Sequence, residues 1–160
     1  MINIIGTFNC KADAKCRVTI PSSLKTQLVP LINDGFVIKH GRFSRCLELY
    51  PISEYNRMMK ELKEKDLFDP ENVRTLRKFV EGAQLVNIDE SNRLQIPKVL
   101  AEFAGIKKEV VITATIDIIE IWDKEGYDAE NDIGNDEYKV MLKTAFGKND
   151  KPLGSSTGFG

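Results

Sequence analysis

The chain of 160 residues predicts an α+β fold made of two tandem copies of one small unit, and three observations carry that prediction. A frame running from aspartate to arginine, "DAKCR" from Asp13 to Arg17, returns 76 residues later as "DESNR" from Asp89 to Arg93. Each frame leads into the same step, Ile20-Pro21 in the first copy and Ile96-Pro97 in the second. Around both, short apolar runs with period-2 alternation are interspersed with segments of helical spacing. In the shared register Gly6 meets Gly82 and Leu24 meets Leu100. The likeness continues where "GFVIK" precedes "CLELYPISEY" as "EVVIT" precedes "IIEIWDKEGY", with Glu48 matching Glu120 and Tyr50 matching Trp122.

Taken in order, Val18 and Ile20 share one face of a short strand, Thr19 takes the other, and Pro21 ends the strand because it has no N–H for the ladder. A helix is predicted next, capped by Ser22 or Ser23 with Leu24 and Leu28 turned inward. "FVIKH" and "CLELY" read as two further strands. The second copy repeats the order as "AQLVNID", "RLQIP", a helix around "KVLAEFA" stopped by Gly105, then "EVVITA" and "IIEIW". Between the copies, Tyr55, Met58, Met59 and Leu62 sit at helical spacing. After the break at Asp69-Pro70, Val73, Leu76, Phe79 and Val80 do the same. The organisation expected is a first repeat over 1–52, connecting helices over 53–81, a second repeat over 82–127, and a mobile C-terminal tail over 128–160. Within that tail, Tyr138 to Phe146 can form a short helix.

Composition narrows the class. With 42% hydrophobic and 29% charged residues the chain is an ordinary globular sequence, and no apolar run approaches the ~18 residues a membrane span needs. The N-terminus lacks a basic segment followed by a long apolar one, so a cytoplasmic location is expected. Cys10, Cys16 and Cys46 form no C-x-x-C pair and are read as reduced thiols. A single histidine, His40, expected at the top of a strand, and the absence of phosphate-loop or nucleophile-elbow motifs argue against an enzyme. No cofactor or metal is implied. The net charge of -1 and pI near 5.9 weigh against a nucleic-acid binder unless the charge is unevenly spread. It is uneven: between Lys11 and Lys25 the only acid is Asp13, beside Lys11, Lys15, Arg17 and Lys25, while the acids gather in "KELKEKDLFDPEN" and "DKEGYDAENDIGNDE".

An aspartate four residues before an arginine, between two strands, makes a turn whose carboxylate can accept backbone N–H groups while facing the guanidinium. One reading is a loop-stabilising ion pair, but exposed pairs are worth only ~0 to 1 kcal/mol. The other is that the two loops lie side by side and offer Lys15, Arg17 and Arg93 to phosphates and base edges, where arginine has the bidentate geometry guanine requires.

The segments "GTFNCKADAKCRVTIPSSL", "LELYP", "NIDESNRLQIP" and "IEIWDKEGY" resemble the MraZ family, part of the wider AbrB-like group of transcription factors, over residues 1 to about 130. The resemblance implies two AbrB-like repeats intertwined into one small pseudo-two-fold β-barrel with flanking helices. It also implies a ring-shaped homo-oligomer, associated with the nucleoid, that binds repeated boxes in promoter DNA of the division and cell-wall gene cluster. Carried over by motif, the DNA-reading loop falls on Asp13 to Arg17, making Lys15 and Arg17 the expected DNA contacts. Arg93, their second-repeat counterpart, and Lys11 from the basic surroundings complete the expected DNA-binding set, and Asp13 and Asp89 hold the turns. The sequence departs from the family where Cys16 and Asn92 occupy the position usually given to glycine, and where Glu90 sits in the second loop. The first loop is therefore expected to dominate. A rival reading is an AbrB-like antitoxin or protein-interaction module, using Met58 and Met59 or the tail residues Ile133, Val140, Met141, Leu142 and Phe146.

Overall fold

The predicted alternation becomes strands that pair across the two repeats rather than within them. The computed structural model describes residues 3–115 and 118–147. The first repeat supplies β1 (Thr7–Lys11), β2 (Arg17–Thr19), α1 (Ser22–Leu28), a 3-10 turn (Val29–Asp34), β3 (Phe36–His40) and β4 (Leu47–Pro51). Two helices follow, α2 (Ile52–Lys63) and α3 (Pro70–Phe79). The second repeat supplies β5 (Gln84–Val86), β6 (Arg93–Gln95), α4 (Lys98–Ala104), β7 (Glu109–Thr115) and β8 (Ile118–Asp123), and the chain continues through α5 (Lys124–Glu130) and α6 (Asn135–Phe146). The described residues divide into two compact units, one ending at Tyr127 and the other beginning at Asp128. The helix expected from Tyr138 to Phe146 begins three residues earlier, and residues 148–160, most of the segment read as a mobile tail, lie outside the described residues.

Six strands form an antiparallel sheet in the order β1-β7-β8-β4-β3-β5, and β2 pairs with β6 in a separate two-stranded ribbon. Exchanging the repeats turns β1 into β5, β7 into β3 and β8 into β4, which reproduces the same order read backwards. The register agrees: Val18 lies opposite Leu94 and Glu48 opposite Glu120, the same pairs that the sequence repeat equates. A pseudo-two-fold axis therefore runs between the ribbon strands on one side and between β4 and β8 on the other. Bridges from Ala12 to Val18 and from Ile88 to Leu94 join the outer strands β1 and β5 to the ribbon. The strands thus follow one another in a closed circuit around a single core.

That core is filled from both repeats by Val18, Ile20, Leu24, Leu28, Ile38, Leu49 and their counterparts Leu94, Ile96, Leu100, Ala104, Ile112 and Ile121. Val18 and Leu94 are completely buried beneath the ribbon, each side chain contributing about 1.5–3 kcal/mol by burial. The strands β3 and β4 are covered on both faces, because α2 packs across their outer side. There Lys39 and Glu48 are buried as a pair at 3.2 Å, with Tyr50 and Arg42 also donating to the Glu48 carboxylate. Burial pushes the Glu48 carboxyl up, but the hydrogen bonds from Tyr50 and Arg42 and the Lys39 ammonium hold it below the usual carboxylate range.

The helix starts differ from the serine cap predicted. Pro21 is the cap residue of α1, with an extended backbone and no side-chain cap bond, and its carbonyl accepts the Lys25 amide at 2.8 Å. Pro51 and Pro97 open α2 and α4 in the same way. Proline fixes the entering φ and has no N–H to satisfy, so strand ending and helix start fall on one residue. Gly105 ends α4 at φ 64°, as expected, and at the break read at Asp69-Pro70 the Asp69 side chain caps α3 by accepting the Glu71 amide.

Candidate nucleic-acid interface

The two Asp-to-Arg frames fold into the same turn. In the first, Asp13 Oδ1 accepts the backbone N–H groups of Lys15 and Arg17, both at 2.9 Å, and Oδ2 accepts Arg17 Nε at 2.7 Å. The main chain closes the loop with the Asp13 amide donating to the Arg17 carbonyl and the Cys16 amide donating to the Asp13 carbonyl. In the second, Asp89 Oδ1 accepts the amides of Ser91 and Arg93 at 2.9 Å, with the matching main-chain bonds. The Arg17 and Arg93 amides, each bonded to its aspartate, are the main cause that holds both carboxyls below their ordinary range. Both turns pass through positive φ, Cys16 at 60° and Asn92 at 61°, which is why a glycine suits these positions. Asn92 tolerates the conformation, whereas the cysteine occupies it at a conformational cost.

The ribbon brings the two turns together. Arg17 lies opposite Gln95 and Thr19 opposite Arg93, while Val18 and Leu94 between them point into the core. With a side-chain period of two, Arg17, Thr19, Arg93 and Gln95 must share the outward face. The turns are also stitched to each other, since the Ile96 amide donates to the Cys16 carbonyl at 3.0 Å and the Ile20 amide to the Asn92 carbonyl at 2.7 Å. This is a two-stranded platform with one arginine at each end, its turns joined by backbone bonds.

The ends are unequal. The Asp13 carboxylate holds Arg17 Nε by a short hydrogen bond, which leaves the terminal nitrogens of a side chain that is 31% exposed for a ligand. Arg93 Nε stands 3.5 Å from Asp89 Oδ2 and makes no hydrogen bond, although it is shielded from solvent. Lys15 is exposed beside Arg17, whereas the second loop has exposed Glu90 and Ser91. Lys107 and Lys108 border the cleft beside Asp13 and Cys16, and the Lys108 carbonyl accepts the Ala12 amide. Lys11 closes β1 directly opposite Glu109 of β7, with both side chains exposed, and is followed by Ala12, which bridges to Val18 of the ribbon. Sequence reasoning passed over Thr19 and Gln95 as ribbon residues, and over the hydrogen bond from Lys25 Nζ to Asn92 Oδ1 that braces the second turn. The signal was present, because the repeat register that equates Val18 with Leu94 also sets Arg17 against Gln95 once the copies pair antiparallel.

The remaining reactive groups serve the fold. His40 ends β3, stacks on Phe103 at 3.7 Å between centroids, and meets Glu81 at 3.3 Å. Cys10, Cys16 and Cys46 form no disulfide with one another, and burial pushes Cys10 up to about 11. Among the described residues no cluster of three or more His, Cys, Asp or Glu is placed to hold a metal ion, and no helix is long and apolar enough to cross a membrane.

Fold and site together define a duplicated α+β protein whose two equivalent turns share one exposed two-stranded ribbon. The family described as "MraZ protein, putative antitoxin-like" matches residues 4–78 and again 79–132, one match for each repeat. A transcriptional regulator MraZ of Christiangramia forsetii is 45% identical over 150 residues, 94% of this chain and 97% of that protein. One from Flavobacterium psychrophilum is 38% identical over 98% of this chain and its own full length, and one from Bacteroides fragilis is 32% identical over 78% of this chain and 80% of its own. The chain belongs to the MraZ family, a family of transcriptional regulators and not of enzymes.

Proposed function

We propose that this chain regulates transcription by binding DNA sequence-specifically, reading repeated boxes in the promoter of the division and cell-wall gene cluster as a ring-shaped homo-oligomer in the cytoplasm, associated with the nucleoid. The observation that carries the reading is the outward face of the β2–β6 ribbon, with Arg17 and Arg93 at its two ends. A two-stranded ribbon is one of the shapes that the major groove admits, and an arginine with free terminal nitrogens matches the O6 and N7 acceptors of guanine. Lys15 adds a phosphate contact beside Arg17, and Asp13 and Asp89 hold the turns in readable form. Lys11, opposite Glu109, contributes only to the surrounding potential.

A single ribbon with about two cationic contacts binds weakly at physiological salt, so affinity comes from several ribbons engaging linked boxes at once. Oligomerisation is then part of the mechanism. Selection of bound genomic fragments with the purified full-length protein tests the reading. Enrichment of promoter fragments bearing repeated boxes supports it, and recovery of fragments without any shared sequence contradicts it.

The antitoxin-like description of the family gives a second reading some support, as do the exposed Tyr138, Val140, Met141 and Phe146 along α6. On that reading the second unit caps a small partner protein while the ribbon reads DNA. A stoichiometric small protein co-purifying with the intact chain, and lost from Val140→Asp, favours it.

A further inference from the structure

We propose that Gln95 is a specificity-determining residue of the ribbon, reading a base that carries an exocyclic amino group, adenine or cytosine, next to the guanine read by Arg17. The inference rests on the DNA-binding reading above and adds a residue that the repeat motif does not single out.

Three observations lead to it. Gln95 lies directly opposite Arg17 in the β2–β6 register, on the same exposed face. Cross-strand neighbours have Cβ atoms about 5 Å apart, so whatever Arg17 reaches lies within reach of Gln95 as well. Second, the carboxamide is oriented by its surroundings. Its Nε2 donates to the Lys15 carbonyl at 2.6 Å and to the Ile96 carbonyl at 3.2 Å. Two carbonyl acceptors demand the amide nitrogen at that position, which settles which end of the carboxamide is which. Third, both N–H groups are then used, and among the described residues nothing donates to Oε1. An exposed glutamine ordinarily offers a donor and an acceptor together, the pair that suits adenine N6 and N7. Here the donor is consumed by the protein, and what remains is an acceptor alone.

The platform beside Lys15 therefore presents two donors from Arg17 flanked by one acceptor from Gln95. That order complements guanine N7 and O6 followed by the amino group of cytosine N4 or adenine N6. It disfavours a thymine or a second guanine at the neighbouring position, because their O4 or O6 would meet Oε1 lone pair to lone pair. The equivalent position in the other half is Thr19, opposite Arg93, which is shorter and lacks this fixed acceptor. Base discrimination is thus concentrated at the Arg17 end.

The test is binding-site selection from a randomised double-stranded DNA library with full-length wild type, Gln95→Ala, Gln95→Lys and Arg17→Ala, each first checked for oligomer size and melting temperature. Gln95→Ala is expected to keep the guanine preference, lose the preference for an amino-bearing neighbour, and weaken the best wild-type site by about tenfold. Gln95→Lys still donates towards the Lys15 carbonyl but has no acceptor, so its selected neighbour is expected to shift to guanine or thymine. Should Gln95→Ala fail to fold, the lysine variant carries the test. Unchanged base preferences in both variants, with or without a uniform loss of affinity, would overturn the inference, since Gln95 would then only hold the Lys15 loop. Selection of no sequence by wild type overturns the DNA reading itself, and this inference with it.

Discussion

Removing the Arg17 guanidinium separates the binding role of the first turn from its structural role. In Arg17→Ala the turn keeps its principal fastenings, because Asp13 Oδ1 still accepts the amides of residues 15 and 17 and the main-chain bonds of the loop remain. What is lost is one ion pair between side chains 31% and 40% exposed, and exposed pairs contribute little. The melting temperature should therefore fall by no more than about 4 °C for a protein of this size. A guanine-reading arginine is worth about 1–3 kcal/mol of discrimination at each site, roughly 5- to 150-fold. Two protomers on two linked boxes would lose twice that free energy, about 2–6 kcal/mol, and specific binding would effectively vanish. Arg93→Ala should cost less, since Arg93 is held at 3.5 Å without a hydrogen bond and sits beside Glu90. The assay is fluorescence anisotropy on a two-box promoter duplex over a salt series, with light scattering and thermal melting on the same samples. Loss of a phosphate-contacting cation such as Lys15 should lower the salt slope by about 1 per engaged protomer. Arg17→Ala binding within twofold of wild type would refute the reasoning. So would binding lost only together with the oligomer.

Further outcomes follow from the same structure. Leu94→Ala empties a fully buried site beneath the ribbon and should destabilise the protein by about 2–5 kcal/mol in denaturant titration, weakening DNA binding with it; a change below 1 kcal/mol would mean that the ribbon is not anchored there. Glu48→Gln leaves the buried Lys39 ammonium without its counter-charge and should cost about 3–5 kcal/mol at neutral pH. Because the Glu48 carboxyl is held below its unfolded value, its stabilisation is complete above about pH 4.3 and is lost as the pH falls through the folded value. Wild type should therefore lose stability below about pH 4 more steeply than Glu48→Gln, and parallel acid limbs would contradict this. Cys16→Gly relieves a left-handed backbone worth about 1–2 kcal/mol against the larger unfolded-chain entropy of glycine, about 0.5–1 kcal/mol. A rise in melting temperature of about 1–4 °C with binding retained is expected, and a fall would show that the thiol contact with the core outweighs the strain.

The strand runs were legible because their apolar residues alternate, and the connecting helices because theirs recur at helical spacing. Strand β1 was not, since "TFNCK" has only Phe8 and Cys10 as apolar residues and owes its existence to pairing with β7. The helix caps were misread because serine is the commoner cap, whereas here the proline that ends each strand also opens the helix. At the site, the repeat exposed Asp13, Arg17, Asp89 and Arg93 as a set, and the substitutions at Cys16 and Asn92 pointed to the positive φ that both residues adopt. Gln95 was legible only through the repeat register, once the two copies are paired antiparallel. Its importance comes from lying across from Arg17 and from two carbonyls, those of Lys15 and Ile96, that absorb its donors.

The most direct test of the central claim, that the exposed ribbon face is the surface that meets DNA, is ultraviolet cross-linking of the intact protein to promoter DNA followed by peptide mapping. The account predicts adducts confined to residues 13–25 and 89–98, strongest around Lys15 and Arg17 and abolished in Arg17→Ala. Adducts mapping to α2, α3 or α6, with the two turns unmodified, would contradict it.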